Sequence, residues 1–94
     1  MLSQIPLQLD KVKKEDVDKE ILRAGIIAEL DAVNLYEQMA AQAQSDAIRR
    51  VLLDIAREEK THVGEFQALL LQLDREQVEE LKHGEREVRE KTGK

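Results

Sequence analysis

Four residues of this sequence have side chains and spacings suited to metal chemistry. Glu59 and His62 form a Glu-x-x-His pair. Residues three apart lie on one face of a helix, so a carboxylate oxygen and an imidazole nitrogen can reach one metal ion. Glu29 lies 30 residues before Glu59, and Tyr36 follows Glu29 by seven residues. Carboxylate oxygens and imidazole nitrogens suit several divalent metals, which makes metal binding the first chemistry to consider.

The elements that carry these residues are predicted to be helices, which makes the chain all-α. Glu, Leu, Ala, Lys, Arg and Gln dominate the sequence, and aromatic residues make up only 2% of it, a composition typical of helices. The pattern predicts two long helices over residues 15–43 and 46–73 and a short, polar C-terminal helix over 75–91. Residues 1–13 contain the single proline and no sustained periodicity, so we expect an extended or flexible arm there.

Apolar residues recur along both long helices in alternating steps of three and four, which predicts an antiparallel two-helix hairpin. The stripe on the first helix consists of Leu22, Ile26, Glu29, Val33, Tyr36, Ala40 and Ala43. The stripe on the second helix consists of Ile48, Leu52, Ile55, Glu59, His62, Phe66, Leu69 and Leu73. In an antiparallel hairpin the four polar members of these stripes lie at similar heights, so we expect them to converge.

Two carboxylates and an imidazole in one apolar layer need a partner. An ionised carboxylate is costly in such a layer unless it is paired or binds a cation. One polar residue in a heptad stripe is often a device that fixes register, but Glu29, Glu59 and His62 together favour a bound metal. Glu29, with two oxygens, can bridge two metal ions. We expect Tyr36 to orient a carboxylate through its hydroxyl group.

The apolar surface of the predicted hairpin is too wide for two helices to bury. Further apolar residues lie outside the two stripes: Ile21, Ile27, Leu30, Leu35, Val51, Val63, Leu70 and Leu71. We therefore expect a second copy of the chain to cover them, so that residues 1–94 form one domain that dimerises into a four-helix bundle. The dimer doubles the polar set to four Glu and two His. Gly25 and Gly64 are expected at close helix contacts.

Composition also excludes several classes of protein. The chain has no cysteine, which excludes disulfide frameworks, zinc ribbons, iron–sulfur clusters and thiol nucleophiles. With 20 acidic and 15 basic residues its net charge is -5, which disfavours nucleic acid as a partner and favours cations. No apolar run approaches the roughly 20 residues of a membrane span, so we expect no membrane association and a cytoplasmic location.

The doubled set, with Glu from two helices and Glu-x-x-His from two others, is the signature of di-iron carboxylate bundles. The segments AELDAVNLYE (28–37) and REEKTHVGEF (57–66) resemble the encapsulated ferritins, half-length members of the ferritin-like superfamily, over residues 15–90. This resemblance implies a ferroxidase whose di-iron centre forms between two subunits and oxidises Fe(II) with O₂. It also implies annular decamers inside an encapsulin nanocompartment, where the iron is stored. The implied metal ligands are Glu29, Glu59 and His62, and the implied catalytic set adds Tyr36.

The sequence departs from that family in two places and leaves other functions open. Ala28 and Leu35 occupy positions near the route by which metal reaches the site, where the family has acidic and aromatic residues. Free cargo members end in a targeting peptide, whereas this chain ends at Lys91-Thr-Gly-Lys, which suggests either a truncated cargo protein or the N-terminal domain of a capsid fusion. The alternatives are a non-redox site for zinc, manganese or calcium and a helical cargo or assembly module without metal.

Overall fold

The computed structural model describes residues 7–94, and all regular structure within that range is helical. Helix α1 spans Val17–Gln42, α2 spans Asp46–Leu73 and α3 spans Arg75–Thr92. The predictions of an all-α chain with two long helices and a shorter third one are thereby confirmed, with every helix end within two residues of its expected position. None of the helices in the described range is long and apolar enough to cross a bilayer.

The arm predicted over residues 1–13 contains one short helical turn where the chain is described, and its extended or flexible character stays a prediction. Its residues 1–6 lie outside the described residues. Two 3₁₀ turns, Leu9–Lys11 and Lys14–Asp16, precede α1. In the second turn the Asp16 N–H donates to the Lys13 carbonyl at 2.9 Å. Such turns need only one local hydrogen bond and no apolar periodicity, which explains why the hydrophobic pattern did not predict them.

Side-chain caps define where α2 and α3 begin. The Ser45 hydroxyl accepts a hydrogen bond from the Ile48 N–H at 3.3 Å, as the Ser-Asp sequence before α2 favours. One residue, Asp74, separates α2 from α3. Its N–H donates to the Leu70 carbonyl at 2.9 Å and closes α2, while its carboxylate accepts from the Gln77 N–H at 3.0 Å and opens α3. Two helices therefore meet at a single non-helical residue.

Helices α1 and α2 pack antiparallel along their length and enclose a narrow core. The buried apolar residues of this core are Leu22, Val33 and Ala40 from α1 and Ala56 and Leu70 from α2. Ala40 and Ala56 are each only 2% exposed, and such small side chains allow two helix backbones to approach closely. The hairpin is thus held by a thin apolar strip and leaves most of its outer apolar residues uncovered within one chain.

The stripe predicted for α2 is only partly the surface that meets α1. Ile48, Leu69 and Leu73 at its two ends are 56%, 49% and 49% exposed. Its middle members, from Leu52 to Phe66, are half-buried, and Ala56 and Leu70, which lie outside the stripe, are buried. The apolar surface of α2 is thus wide enough for α1 to cover one part of it and to leave the rest on the outside of the hairpin.

Helix α3 leaves the hairpin and is exposed along most of its length. Every residue from Glu79 to Lys94 is exposed. The described residues span 46 × 42 × 19 Å, which requires α3 to project sideways, because two packed helices are only about 20 Å wide. The Arg23 guanidinium donates to the Asp74 carboxylate at 2.9 Å and ties the start of α3 to α1. The hydrogen bond from the Gln77 N–H lowers the pKa of Asp74 below its ordinary value, and the hydrogen bond from Arg23 has a smaller effect in the same direction.

Candidate metal centre

The antiparallel hairpin places Glu29 of α1 opposite Glu59 and His62 of α2. The His62 Nδ1 lies 3.2 Å from the Glu29 Oε2 and 3.4 Å from the Glu59 Oε2. One donor atom from each of the three residues can be chosen so that all three lie within 4.8 Å of one another. The structure therefore brings together, from two helices, the three residues that the sequence suggested as metal ligands.

Burial differs between the members of this cluster. The side chains of Glu29 and Glu59 are 19% and 18% exposed, whereas that of His62 is 44% exposed. The carboxylates therefore lie on the inside of the cluster and the imidazole lies at its open side. Two mostly covered carboxylates side by side repel one another, and a divalent cation between them would relieve that repulsion. The donor set of two carboxylates and one imidazole thus fits a divalent metal ion.

The two contacts of the His62 Nδ1 differ in kind. It lies within hydrogen-bond distance of the Glu29 Oε2 on α1, whereas the Glu59 Oε2 on its own helix is slightly farther away. A metal ion bound by the same three groups would need an unprotonated nitrogen of this imidazole.

Tyr36, the fourth polar member of the predicted stripes, is carried by α1, as Glu29 is. It is half-buried on α1, seven residues after Glu29, which is about 10.5 Å along the helix axis. The spacing of two turns keeps both residues on the same side of α1. A role for its hydroxyl group in the centre stays a prediction.

The open side of the cluster belongs to a broad apolar face of the hairpin. His62 is seven residues from Ile55 and from Leu69, so the three share one side of α2. Shallow depressions of about 250 Å³ and 440 Å³ lie on this face, near the two ends of the hairpin. Exposed apolar side chains line them, among them Ile21, Met39, Ile48, Leu69 and Leu73. We call the surface that contains Ile21 and Met39 of α1 and Ile48 and Leu69 of α2 the apolar face.

Sequence reasoning missed two interactions near the centre. The first is the Arg23–Asp74 ion pair, whose partners lie 51 residues apart and carry no local signal. The second is the partner of Gly25, which was expected at a close helix contact but without a named neighbour. A Cβ atom at Gly25 would lie 3.1 Å from the Phe66 ring, which confirms a close contact there. The same expectation is wrong for Gly64 within one chain, because nothing in the described range lies within 4 Å of its Cβ position.

Comparison with known proteins identifies the family. A family model described as rubrerythrin matches residues 20–93, which is most of the chain. The chain belongs to the rubrerythrin family. This member of the rubrerythrin family is also 59% identical, over 96 aligned residues, to a ferritin-like–encapsulin shell fusion protein from Pyrococcus furiosus. The alignment covers 99% of this chain and 28% of the fusion protein, so the chain spans just over a quarter of that relative.

A solved structure narrows the relationship within the rubrerythrin family. The crystal structure of the encapsulated ferritin domain from Pyrococcus furiosus superposes with a TM-score of 0.85 at 55% sequence identity, over 100% of this chain and 96% of that one. The resemblance to encapsulated ferritins that the sequence indicated is thereby confirmed. Membership of the rubrerythrin family and this relationship support a ferritin-like, iron-related role for the chain.

Proposed function

We propose that the chain is a ferroxidase in which two copies associate through the apolar face and form a di-iron centre between them. Fe(II) is the substrate, and O₂ is the oxidant. The observation that carries this proposal is the cluster of Glu29, Glu59 and His62, whose open side lies on the apolar face. Closing that face with a second copy covers the apolar residues and the cluster together.

The charges of the cluster favour two copies and two metal ions. One chain offers three ligand side chains, fewer than iron commonly takes in carboxylate sites. Two chains offer four carboxylates and two imidazoles, the set found in di-iron carboxylate bundles. Four carboxylates carry four negative charges, which equal the positive charge of two Fe(II) ions. The buried centre is therefore neutral when loaded, which removes most of the cost of keeping four carboxylates away from water.

Each residue then has a role that its position in the hairpin supports. Two Fe(II) ions would each give one electron to O₂, which would take up two protons and leave as hydrogen peroxide while both ions become Fe(III). Glu59 and His62 would hold a metal ion from α2. Glu29, the member of the cluster on α1, would be the carboxylate that the two ions share. The apolar face excludes water from the layer, and the Tyr36 hydroxyl orients a carboxylate.

The relatives support a proposal about the partners. One relative is a fusion of a ferritin-like segment with an encapsulin shell protein, and the similar solved structure is an encapsulated ferritin domain. For this chain we infer the same setting: dimers assembled into an annular decamer within a cytoplasmic encapsulin nanocompartment, where oxidised iron is stored. The inference holds for either arrangement of the protein, as free cargo or as part of a shell fusion.

Oxygen consumption on addition of Fe(II) tests the proposal. Wild-type chain should consume O₂ and produce Fe(III), and Glu29→Ala, Glu59→Ala and His62→Ala should each lose most of this activity, because each change removes one ligand from both chains. Glu37→Ala is the matched control: Glu37 is an exposed carboxylate of α1 that pairs with Lys60 at 3.3 Å. Its activity should equal that of the wild type.

The same samples distinguish the alternatives. Metal content after purification and after loading shows whether the three ligands bind metal at all. Stoichiometric metal binding without O₂ consumption would replace the ferroxidase by a non-redox metal site. A chain that binds no metal in any form would be a helical assembly or cargo module. A cluster variant with wild-type iron oxidation and unchanged metal content would remove that residue from the centre.

A further inference from the structure

We propose that Gly25 and Phe66 form a spacer that sets the separation of α1 and α2 at the metal centre, and thereby sets its metal affinity. Both residues lie outside the cluster of ligands. The proposal rests on the proposed metal-binding function and adds positioning residues to it. Its structural basis is the contact between the α1 backbone and the aromatic ring.

The spacer lies one helical turn from the ligands on both helices. Gly25 precedes Glu29 by four residues, and Phe66 follows His62 by four. Because α1 and α2 run antiparallel, these two steps lead to the same level of the hairpin. A Cβ atom at Gly25 would lie 3.1 Å from the Cδ2 and Cε2 atoms of Phe66 and 3.3 Å from its Cζ. Carbon atoms in favourable contact are about 3.5–4.0 Å apart, so the ring occupies the space of that methyl group.

A glycine at this position needs a reason. Glycine is among the least favourable residues in a helix interior, and alanine is the most favourable. The half-buried ring of Phe66, the single phenylalanine of the chain, supplies that reason. Gly64 provides the contrast, because it also lies inside a long helix and nothing in the described part of the chain would touch a Cβ there. Comparing alanine substitutions at Gly25 and Gly64 therefore distinguishes the effect of helix propensity from the effect of the spacer.

The ligands respond selectively to a change in helix separation. The contact between His62 and Glu29, at 3.2 Å, joins α2 to α1, whereas the contact between His62 and Glu59, at 3.4 Å, lies within α2. A methyl group at Gly25 pushes the ring and the α1 backbone apart by a few tenths of an ångström. This movement lengthens the first contact and leaves the second unchanged. The spacer therefore acts on metal binding through Glu29.

Titration with Co(II) and visible absorption tests the spacer without any oxidation reaction. We expect Gly25→Ala to weaken Co(II) binding about tenfold, the lower end of the usual effect of residues that support metal ligands. Helical content should equal that of the wild type, which distinguishes a loss of affinity from a loss of folding. Gly64→Ala should raise Tm and leave Co(II) affinity unchanged. Adding Phe66→Leu to Gly25→Ala should restore the affinity, because the shorter side chain makes room for the methyl group.

The pathway through Glu29 is tested by a double-variant cycle. In a Glu29→Gln background, Gly25→Ala should cause no further loss of Co(II) affinity. Unchanged affinity in Gly25→Ala, an equal loss in Gly64→Ala, or a full additional loss in the Glu29→Gln background would overturn the spacer. If Gly25→Ala does not fold, its combination with Phe66→Leu decides: recovery of folding and affinity supports the spacer, and recovery of folding alone refutes it.

The two proposals fail separately. Wild-type chain that binds Co(II) but does not oxidise Fe(II) would refute the ferroxidase, and the affinities of the glycine variants would still decide the spacer. Wild-type chain that binds no Co(II) would refute both the metal centre and its spacer.

Discussion

Leu69 and Leu70 are neighbours on α2, but Leu70 belongs to the core of one chain and Leu69 to the proposed interface between two chains. Leu70 is 4% exposed in the hairpin, and Leu69 is 49% exposed on the apolar face. Leu70→Ala removes buried methyl groups, which costs about 2–5 kcal/mol of folding free energy. Full burial of a leucine side chain contributes about 1.5–3 kcal/mol, so the exposed half of Leu69 has about 1 kcal/mol left to gain when it is covered.

A two-fold dimer contains two copies of Leu69, so Leu69→Ala should weaken association by about 2 kcal/mol, or roughly 30-fold in the dimer Kd. Sedimentation equilibrium measures this Kd, and circular dichroism in urea at two protein concentrations measures stability. Leu70→Ala should lower the urea midpoint at both concentrations. Leu69→Ala should lower it mainly at the higher concentration, where the wild-type chain is dimeric and association adds to its stability.

The reasoning fails if Leu69→Ala leaves the dimer Kd unchanged. It also fails if the wild-type chain sediments as a folded, metal-loaded monomer at micromolar concentration, since the apolar face would then be stable in water. An equal effect of Leu69→Ala and Leu70→Ala on stability at both concentrations would show that the two side chains are buried alike, contrary to the hairpin described above.

Two further predictions concern Tyr36 and the start of α3. Tyr36→Phe should slow Fe(II) oxidation and leave the amount of bound metal per chain unchanged, because only the hydroxyl group is lost. Metal titration measures the bound amount, and a lower amount in the variant would show that Tyr36 is a ligand. The pKa of Asp74 is lower in the folded chain than its ordinary value of 3.8. The Asp74 carboxylate therefore stabilises the fold at pH values above 3.8, and this stabilisation is lost as the pH falls through the lower, folded-state pKa. Asp74→Asn keeps a good helix cap but loses the charge that faces Arg23, so helicity against pH, followed by circular dichroism, should show a shallower acid transition than in the wild type. Identical acid profiles would contradict this assignment.

The hairpin and the cluster of Glu29, Glu59 and His62 could be predicted because both depend on short-range periodicity. Steps of three and four residues identified the two long helices and made Glu29, Glu59 and His62 exceptions within apolar stripes. Antiparallel pairing then placed these exceptions at one level. Which residues of α2 are buried deepest could not be predicted in this way, because it depends on how closely the surfaces of the two helices approach, and the small residues Ala40 and Ala56, each 2% exposed, lie in that packing. That approach is a property of two surfaces together and not of either helix.

Contacts between distant residues were equally hidden from the periodic pattern. Gly25 signalled a close contact, but nothing in its own segment identified the Phe66 ring as the neighbour. The pairing of Arg23 with Asp74 arises only when the hairpin brings the start of α1 to the end of α2. The pattern of charges in the last helix gave its extent and its exposure, but not the direction in which it leaves the hairpin.

That direction depends on Asp74, the single residue between α2 and α3. Its torsion angles, φ -127° and ψ 91°, set the angle between the two helices. Helix α3 has 18 residues and is about 27 Å long. A rotation of about 10° at Asp74 therefore moves the far end of α3 by about 5 Å, given that rise per residue. The Arg23 side chain of α1 holds Asp74 through this ion pair, six residues before Glu29. Whatever the end of α3 contacts in a larger assembly is therefore positioned by the same two helices that carry Glu29, Glu59 and His62.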